Sequence, residues 1–319
     1  MNQAAAPVEH YVTLFDNNFL PLGLCLHGSL QRHGGAFVLW VLCMDETVER
    51  NLRALALPNV RLIPLAEVEK TELLAVKPTR SRGEYCWTIT SFTPDFVFAR
   101  DASVTRVTYL DADLFFFAAP TPLFAELDAA RKDVLITEHA FAPEYESANL
   151  NGRFCVQFVT FRRTPAAAGV LHWWQARCIE WCYDRHEYGK FGDQKYLDQW
   201  PALFGAAVHI LQDRDQALAP WNADYRLRLH PAGAQHRPAF FHFHGLRVIA
   251  PQRIKLYAGH RVGIAQQMYA EYVLAMARAA DRLQTAGIAM PFIPEPKGPV
   301  NWLRNLKRRA TGRVGYADL

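Results

Sequence analysis

Apolar positions in the first two-thirds of the chain fall into short dense runs separated by stretches of helical spacing. Residues 11–15 form one such run and stop at the polar cluster Asp16-Asn17-Asn18, as a strand does at its carboxyl end. Helical spacing follows over about 20–32. Residues 36–43 (AFVLWVLC) are too apolar and too short for anything but a buried strand. Spacing returns to helical over 46–57, and a third strand is predicted over 60–64. Strand, helix, strand, helix, strand implies parallel pairing with right-handed crossovers. A helix over 85–100 then leads to strands over 104–110 and 134–137, which together predict an open α/β sheet whose ligands lie at the carboxyl ends of its strands.

Beyond residue 154 the pattern changes. The alternation over 154–161 (FCVQFVTF) predicts a strand in a mixed part of the sheet, and Thr164-Pro165 supplies an N-cap and first-turn proline for a helix running to about 187. Leu171, Trp174, Cys178, Trp181 and Cys182 share one side of it and read as core. Another strand is expected over 240–244 and a long amphipathic helix over 262–283. Pro291, Pro294, Pro296 and Pro299 then form a stiff connector into the basic segment 301–313. The predicted organisation is one domain over 8–290 followed by a connector and tail over 291–319. No internal repeat or low-complexity segment is visible.

Composition narrows the class. Half of the 319 residues are apolar, enough for a sizeable core, which excludes intrinsic disorder and fibrous architectures. No stretch approaches the roughly 18 to 20 uncharged apolar residues of a bilayer span, and residues 1–10 lack the layout of a leader, so a cytoplasmic protein is expected. The formal net charge of +4 divides unevenly: residues 296–319 hold six Lys/Arg and one acid, leaving 29 bases against 30 acids elsewhere. The body is neutral and the tail basic. Six cysteines form no C-x-x-C pair and read as buried free thiols; Cys178 and Cys182, four apart, lack partners at zinc spacing.

The most informative stretch is Val107-Thr108-Tyr109-Leu110-Asp111-Ala112-Asp113-Leu114-Phe115. An apolar strand that stops at two carboxylates one residue apart places both in the ligand crevice. Such carboxylates repel unless a cation sits between them, and hard divalent ions such as Mg²⁺ or Mn²⁺ share oxygen ligands with phosphates. A bare D-x-D also serves as a turn cap, and taken alone it is a weak signal.

Context strengthens it. Tyr109-Leu110-Asp111-Ala112-Asp113, following a βαβαβ half about 100 residues into the chain, resembles the metal-binding motif of GT-A glycosyltransferases, closest to the retaining glycogenin-like and lipopolysaccharide galactosyltransferase-like group. Tyr11-Val12-Thr13-Leu14-Phe15-Asp16 resembles the group's first strand, whose end contacts the nucleotide. Phe191-Gly192-Asp193-Gln194-Lys195 resembles its Asp-Gln segment beside the transferred sugar, and His242-Phe243-His244-Gly245 its H-x-x-G, whose histidine completes the metal shell. The motifs occur in order and span residues 10–250. The resemblance implies a GT-A, Rossmann-like nucleotide-diphospho-sugar transferase fold, an open mixed sheet flanked by helices.

It further implies a metal held by Asp111, Asp113 and His242, and a nucleotide-sugar donor contacted by Thr13, Phe15, Asp16, Asn17, Arg82, Tyr85, Ala112 and Gly245 as well as by the two aspartates. Asp193 and Gln194 would serve on the sugar face opposite the leaving group. His244 receives no role from the resemblance. Two departures matter: Cys155-Val156-Gln157 stands where the group carries Asn-x-Gly, making Gln157 the substitute sugar contact, and Val248 stands where a lysine is expected, making Arg247 the diphosphate clamp. Asp193 also reads as an N-cap, Trp221-Asn222 as either a sugar-side loop or a buried anchor, and Arg82 as either a nucleotide contact or a solvated loop residue.

The expected function is metal-dependent transfer of a hexose from a nucleotide-diphosphate sugar, a UDP-sugar foremost, to a glycan or glycolipid, with retention implied by the resemblance. In such a transfer the developing charge on the nucleoside diphosphate must be neutralised, which suits a metal clamped by two aspartates, with a neutral imidazole favouring Mn²⁺ over Mg²⁺. In the tail, Trp302, Leu303 and Leu306 interleave with Arg304, Lys307, Arg308 and Arg309, which predicts a short amphipathic helix suited to an anionic membrane surface. Nucleic acid is not expected, because the body is neutral and carries no nucleic-acid motif. Two rivals remain: a sugar nucleotidyltransferase, which would need a Gly-rich basic loop where Asp16-Asn17-Asn18-Phe19 stands, and a non-catalytic carbohydrate-binding protein on a degenerate fold.

Overall fold

A computed structural model describes residues 8–319. Residues 1–7, part of the segment read above for its lack of a leader layout, lie outside the described residues. Seven strands build the main sheet: β1 (Glu9–Phe15), β2 (Phe37–Cys43), β3 (Val60–Pro64), β4 (Arg106–Leu110), β6 (Val134–Glu138), β7 (Phe154–Arg162) and β8 (Val208–Ile210). Their order is β3-β2-β1-β4-β7-β6-β8. β1 runs parallel to both β2 and β4, and β7 runs antiparallel to β4 and β6, so the sheet is mixed from the 154–162 strand onward as the alternation there predicts.

Helices cover both faces, and the period of two along each strand sorts its side chains between two cores. In β2, Phe37, Leu39, Val41 and Cys43 enter one core, together with Leu22, Leu26 and Leu30 of the helix Leu20–His33. Trp40 and Leu42 enter the other, with Ile89, Phe96 and Trp174. Gly23 lets the first helix approach: a Cβ there would stand 2.5 Å from the Phe15 ring.

Two small sheets join the main sheet among the described residues. β5 (Leu114–Phe116), β9 (Ala217–Leu218) and β10 (Phe240–His242) form one, with β10 antiparallel to β5 and parallel to β9. β11 (Arg247–Ala250), β12 (Arg253–Ala258) and β13 (Val314–Asp318) form the other, antiparallel throughout. β13 corrects the reading of the tail as a connector plus helix only. The helix Pro299–Ala310 forms as expected, but the chain then returns and pairs with β12, and Lys255 and Tyr316 both bond to Glu295 across the join.

Two helices differ from the pattern. The expected helix over 85–100 is two helices, Arg82–Thr90 and Thr93–Arg100, because Pro94 opens a new first turn after Ser91 and Phe92. The helix opened by Thr164 ends at Glu180, where Trp181 turns extended (φ −157°). Trp181 and Cys182 are nonetheless buried, so the apolar spacing that extended the prediction is that of a buried loop. No disulfide forms among the described residues; the six cysteines are free thiols, five of them buried.

Candidate active site

Strand ends and strand pairings build the site. β4 ends at Leu110, and its antiparallel partner β7 sets Leu110 opposite Phe158, which brings Gln157 beside Asp111; the Asp111 N–H donates to the Gln157 carbonyl at 3.0 Å. One turn later β5 pairs with β10, His242 opposite Leu114, and the Phe243 N–H donates to the Asp113 carbonyl at 2.9 Å. Residues more than 120 apart in sequence are thereby locked together by main-chain bonds.

At the centre is His242. Its Nε2 lies 3.1 Å from Asp113 Oδ1 and 3.7 Å from Asp111 Oδ2, and its Nδ1 lies 2.7 Å from Gln157 Oε1. An amide oxygen only accepts, so Nδ1 carries the proton and Nε2 is aimed between the carboxylates. The Gln157 amide nitrogen donates to Thr137 Oγ1 at 3.4 Å, which fixes which end of that amide faces the histidine. Gln157, expected as a sugar contact, has its side chain bonded to both His242 and Thr137. Tyr109 donates from its hydroxyl to Asp111 Oδ1 at 2.9 Å.

Electrostatics show how strongly these groups act on one another. Burial works against every charge here, and it pushes the Asp111 carboxyl above its ordinary range. Burial also opposes the Asp113 charge, but His242 outweighs it and holds that carboxyl well below the ordinary range. His242, reciprocally, is held well above its usual value by Asp113 against the pull of burial. A proton on His242 thus sits between the buried Asp113 carboxylate and the partly exposed Asp111. The donor set of two carboxylate oxygens and one imidazole nitrogen also suits a divalent cation.

Around this centre the structure gathers some of the expected residues. Asp193 is buried, is pushed well above the carboxylate range by burial and by Asp111, and accepts on its carbonyl from Trp174 Nε1 at 3.0 Å. It occupies the N-cap position of the 3-10 turn Gln194–Gln199, as expected, but makes no side-chain capping bond. Gln194 donates from its amide to the Asn151 carbonyl at 2.8 Å. Gly245 takes φ +80°, a left-handed turn that frees the chain to leave β10 for β11, with open space where a side chain would be. Arg247, the first residue of β11, lies over the Phe19 ring at 4.9 Å and acts on Asp113 electrostatically. Ala112 is buried between the two aspartates.

A second cluster lies at the ends of β1 and β2. Arg82 reaches Asp16 Oδ2 at 2.9 Å and Asp45 Oδ2 at 2.5 Å. The Asn17 N–H donates to Asp45, and Asn51 donates to the Asn17 side chain. Asp45 and Asn51 went unnoticed in the sequence, although Asp45 follows the carboxyl end of β2 and N-caps the next helix, the same signal that singled out Asp16. Three expected donor contacts have enclosed side chains: Thr13 lies wholly within β1, Phe15 is core, and Tyr85 is buried with its hydroxyl donating to Glu69 at 2.6 Å. The alternation that buries one face of a strand here buries both.

Trp221 and Asn222 are anchors: Trp221 Nε1 and the Asn222 amide both donate to the His139 carbonyl, at 2.7 and 2.9 Å. Cys155 was missed as a neighbour of the centre. Burial raises its thiol, but His139 and then His242 outweigh that and bring it down to about 6.

Comparisons with known proteins agree with this architecture. No protein-family model matches the chain. It is similar to two Bacillus subtilis (strain 168) proteins described as uncharacterized: YfnF, 31% identical over 264 residues that cover 77% of this chain and 84% of the relative, and YfnD, 28% identical over 302 residues covering 91% and 96%. Among solved structures it is similar to the apo-form glycosyltransferase GlyE of Streptococcus pneumoniae TIGR4 (TM-score 0.52, 17% identity, 90% of this chain and 65% of that one). It is also similar to the galactosyltransferase LgtC in complex with donor and acceptor sugar analogs (0.51, 15%, 92% and 99%) and to mouse xyloside xylosyltransferase 1 (0.50, 12%, 75% and 98%). The fold is that of the GT-A glycosyltransferases.

Proposed function

The chain belongs to the family of Bacillus subtilis YfnF, and from its GT-A fold and the geometry at His242 we propose that it is a metal-dependent glycosyltransferase. The donor is a nucleotide-diphosphate hexose, a UDP-sugar foremost, the acceptor a glycan or glycolipid, and the configuration is retained. One observation carries the reading: with its Nδ1 bonded to Gln157, the Nε2 of the buried His242 is aimed between the Asp111 and Asp113 carboxylates at the end of a central strand.

When bound, a divalent ion supplies charge neutralisation for the departing nucleoside diphosphate. Asp111, Asp113 and His242 hold it. Arg247, stacked on Phe19, places a fixed guanidinium beside the same diphosphate. The Arg82, Asp16 and Asn17 cluster offers donors and acceptors to the nucleoside at the ends of the two neighbouring strands. Asp193 and Gln194 stand toward the sugar, where Asp193, deprived of water, faces the positive charge that develops at the sugar carbon as the diphosphate leaves. A direct test is thermal stabilisation with Mn²⁺ and a panel of nucleotide sugars, followed by slow donor hydrolysis. A UDP-sugar is expected to raise the melting temperature only with metal present; no shift and no hydrolysis with any donor would remove the reading.

The acceptor side draws on the tail. No helix among the described residues is long and apolar enough to cross a membrane. The helix Pro299–Ala310, however, leaves Val300, Trp302, Leu303 and Leu306 between 51% and 78% exposed beside Arg304, Lys307 and Arg308. An apolar edge flanked by cations suits the surface of an anionic membrane presenting a glycolipid. Because β13 is part of the fold, deleting the tail would strip β12 of one of its two partner strands, and a point change is the cleaner probe. Lys307→Gln should weaken binding to phosphatidylglycerol vesicles about fivefold, at roughly 1 kcal/mol per charge, with turnover of a soluble acceptor unchanged; equal vesicle binding by the variant would dispose of the membrane contact.

A further inference from the structure

His244 is the residue that neither the resemblance nor the transferase reading employs. It lies two positions after His242, just past the end of β10, and is exposed where His242 is buried. The left-handed turn at Gly245 follows at once, so the chain leaves the strand direction directly beyond His244. Trp221 lies against both imidazoles, its ring 5.5 Å from that of His242 and 5.6 Å from that of His244, and the two imidazole planes stand at 84° to each other. A tryptophan held by two anchoring bonds of its own loop thus braces two histidines around one point.

One ligand atom each from Asp113, His242 and His244 lie within 4.8 Å of one another. Donors on a divalent ion about 2.1 Å away are about 3.0 Å apart when adjacent and about 4.2 Å apart when opposite. Asp113 Oδ1, 3.1 Å from His242 Nε2, already has the spacing of adjacent donors, Asp111 Oδ2 at 3.7 Å lies within the range, and rotation of the exposed His244 ring brings its nitrogen onto the same point. We propose that His244 is a fourth protein ligand of the centre, making a set of two carboxylates and two imidazoles that prefers Mn²⁺ and Co²⁺ over Mg²⁺. This rests on the metal-dependent reading above. Four protein donors would still leave a six-coordinate ion room for diphosphate oxygens. The second imidazole biases the metal because nitrogen donors gain affinity along the series from Mn²⁺ to Cu²⁺ and suit Mg²⁺ poorly.

Calorimetric titration of the full chain with Co²⁺ and with Mg²⁺, together with the visible absorption of the Co²⁺ form, tests this. His244→Ala should weaken Co²⁺ binding about tenfold, change Mg²⁺ binding by less than about twofold, and shift the Co²⁺ absorption bands. The ring is exposed, so the melting temperature of the metal-free variant should match the parent, and His244→Gln should behave like the alanine variant. Unchanged Co²⁺ affinity and an unchanged spectrum would overturn the assignment, as would equal losses for both metals. Asp113→Asn separates the two layers. If it abolishes Co²⁺ binding while His244→Ala does nothing, the His244 ligand alone falls. If the parent chain binds no Co²⁺, or Asp113→Asn binds it as well as the parent, the metal-dependent reading falls with it.

Discussion

Asp113→Asn is expected to lower kcat/KM for glycosyl transfer by about 10³-fold, about 4 kcal/mol of transition-state stabilisation. The amide preserves the volume of the carboxylate and the main-chain bond to Phe243, so the β5–β10 pairing survives. What is lost is one of two formal charges that hold the cation against the leaving diphosphate. The same substitution removes the partner that keeps His242 protonated, yet the fold is not left with an uncompensated buried cation: His242 sheds its proton and keeps its bond to Gln157. The melting temperature of the metal-free chain should therefore move by only a few degrees, while metal-dependent stabilisation by a nucleotide diphosphate disappears. Steady-state kinetics beside a melting series with and without Mn²⁺ checks both halves. Activity within tenfold of the parent would mean the carboxylates are structural.

Asp113 was legible in the sequence because its signal is local. A strand end is visible in the apolar pattern, and a carboxylate pair at a strand end needs no partner to attract notice. The first three strands, their parallel pairing and the switch to a mixed sheet at 154–162 were legible for the same reason. Register was not. Gln157 was readable as a polar residue in an apolar strand, but that its side chain meets His242, 85 residues away, follows from β4 pairing with β7 and β5 pairing with β10 in particular registers. The enclosure of Thr13, Phe15 and Tyr85 was hidden by the same omission: it follows from a strand covered on both faces and a helix buried in the second core. The strand β13 was hidden by its composition, since Val314-Gly315-Tyr316-Ala317-Asp318 follows a basic helix and carries little apolar alternation, and only its partner β12 makes it a strand. Asp45 carries the same local signal as Asp16, a carboxylate just past a strand end that caps the next helix, and is legible in the sequence by the same rule.

The role assigned to Gln157 carries the second large expectation. Gln157→Leu should weaken Mn²⁺ binding by 10- to 100-fold, about the range seen when the outer partner of a metal-bound histidine is removed. Leucine is close to glutamine in length and suits the buried surroundings, so packing changes little. The loss is specific: Nδ1 of His242 no longer has an acceptor, the proton is free to move to Nε2, and the ring is free to turn, so the nitrogen lone pair is presented to the two aspartates only part of the time. Gln157→Glu supplies the discriminating comparison. A carboxylate at the same position again accepts from Nδ1 and should restore Mn²⁺ binding to within about threefold of the parent, because such carboxylate–histidine pairs raise ligand basicity. A sugar contact would behave in the opposite way, with metal affinity untouched in both variants and the KM for donor raised. Titration of Mn²⁺ in the absence of any nucleotide isolates the metal term, and equal Mn²⁺ affinity in Gln157→Leu and the parent would return Gln157 to the sugar.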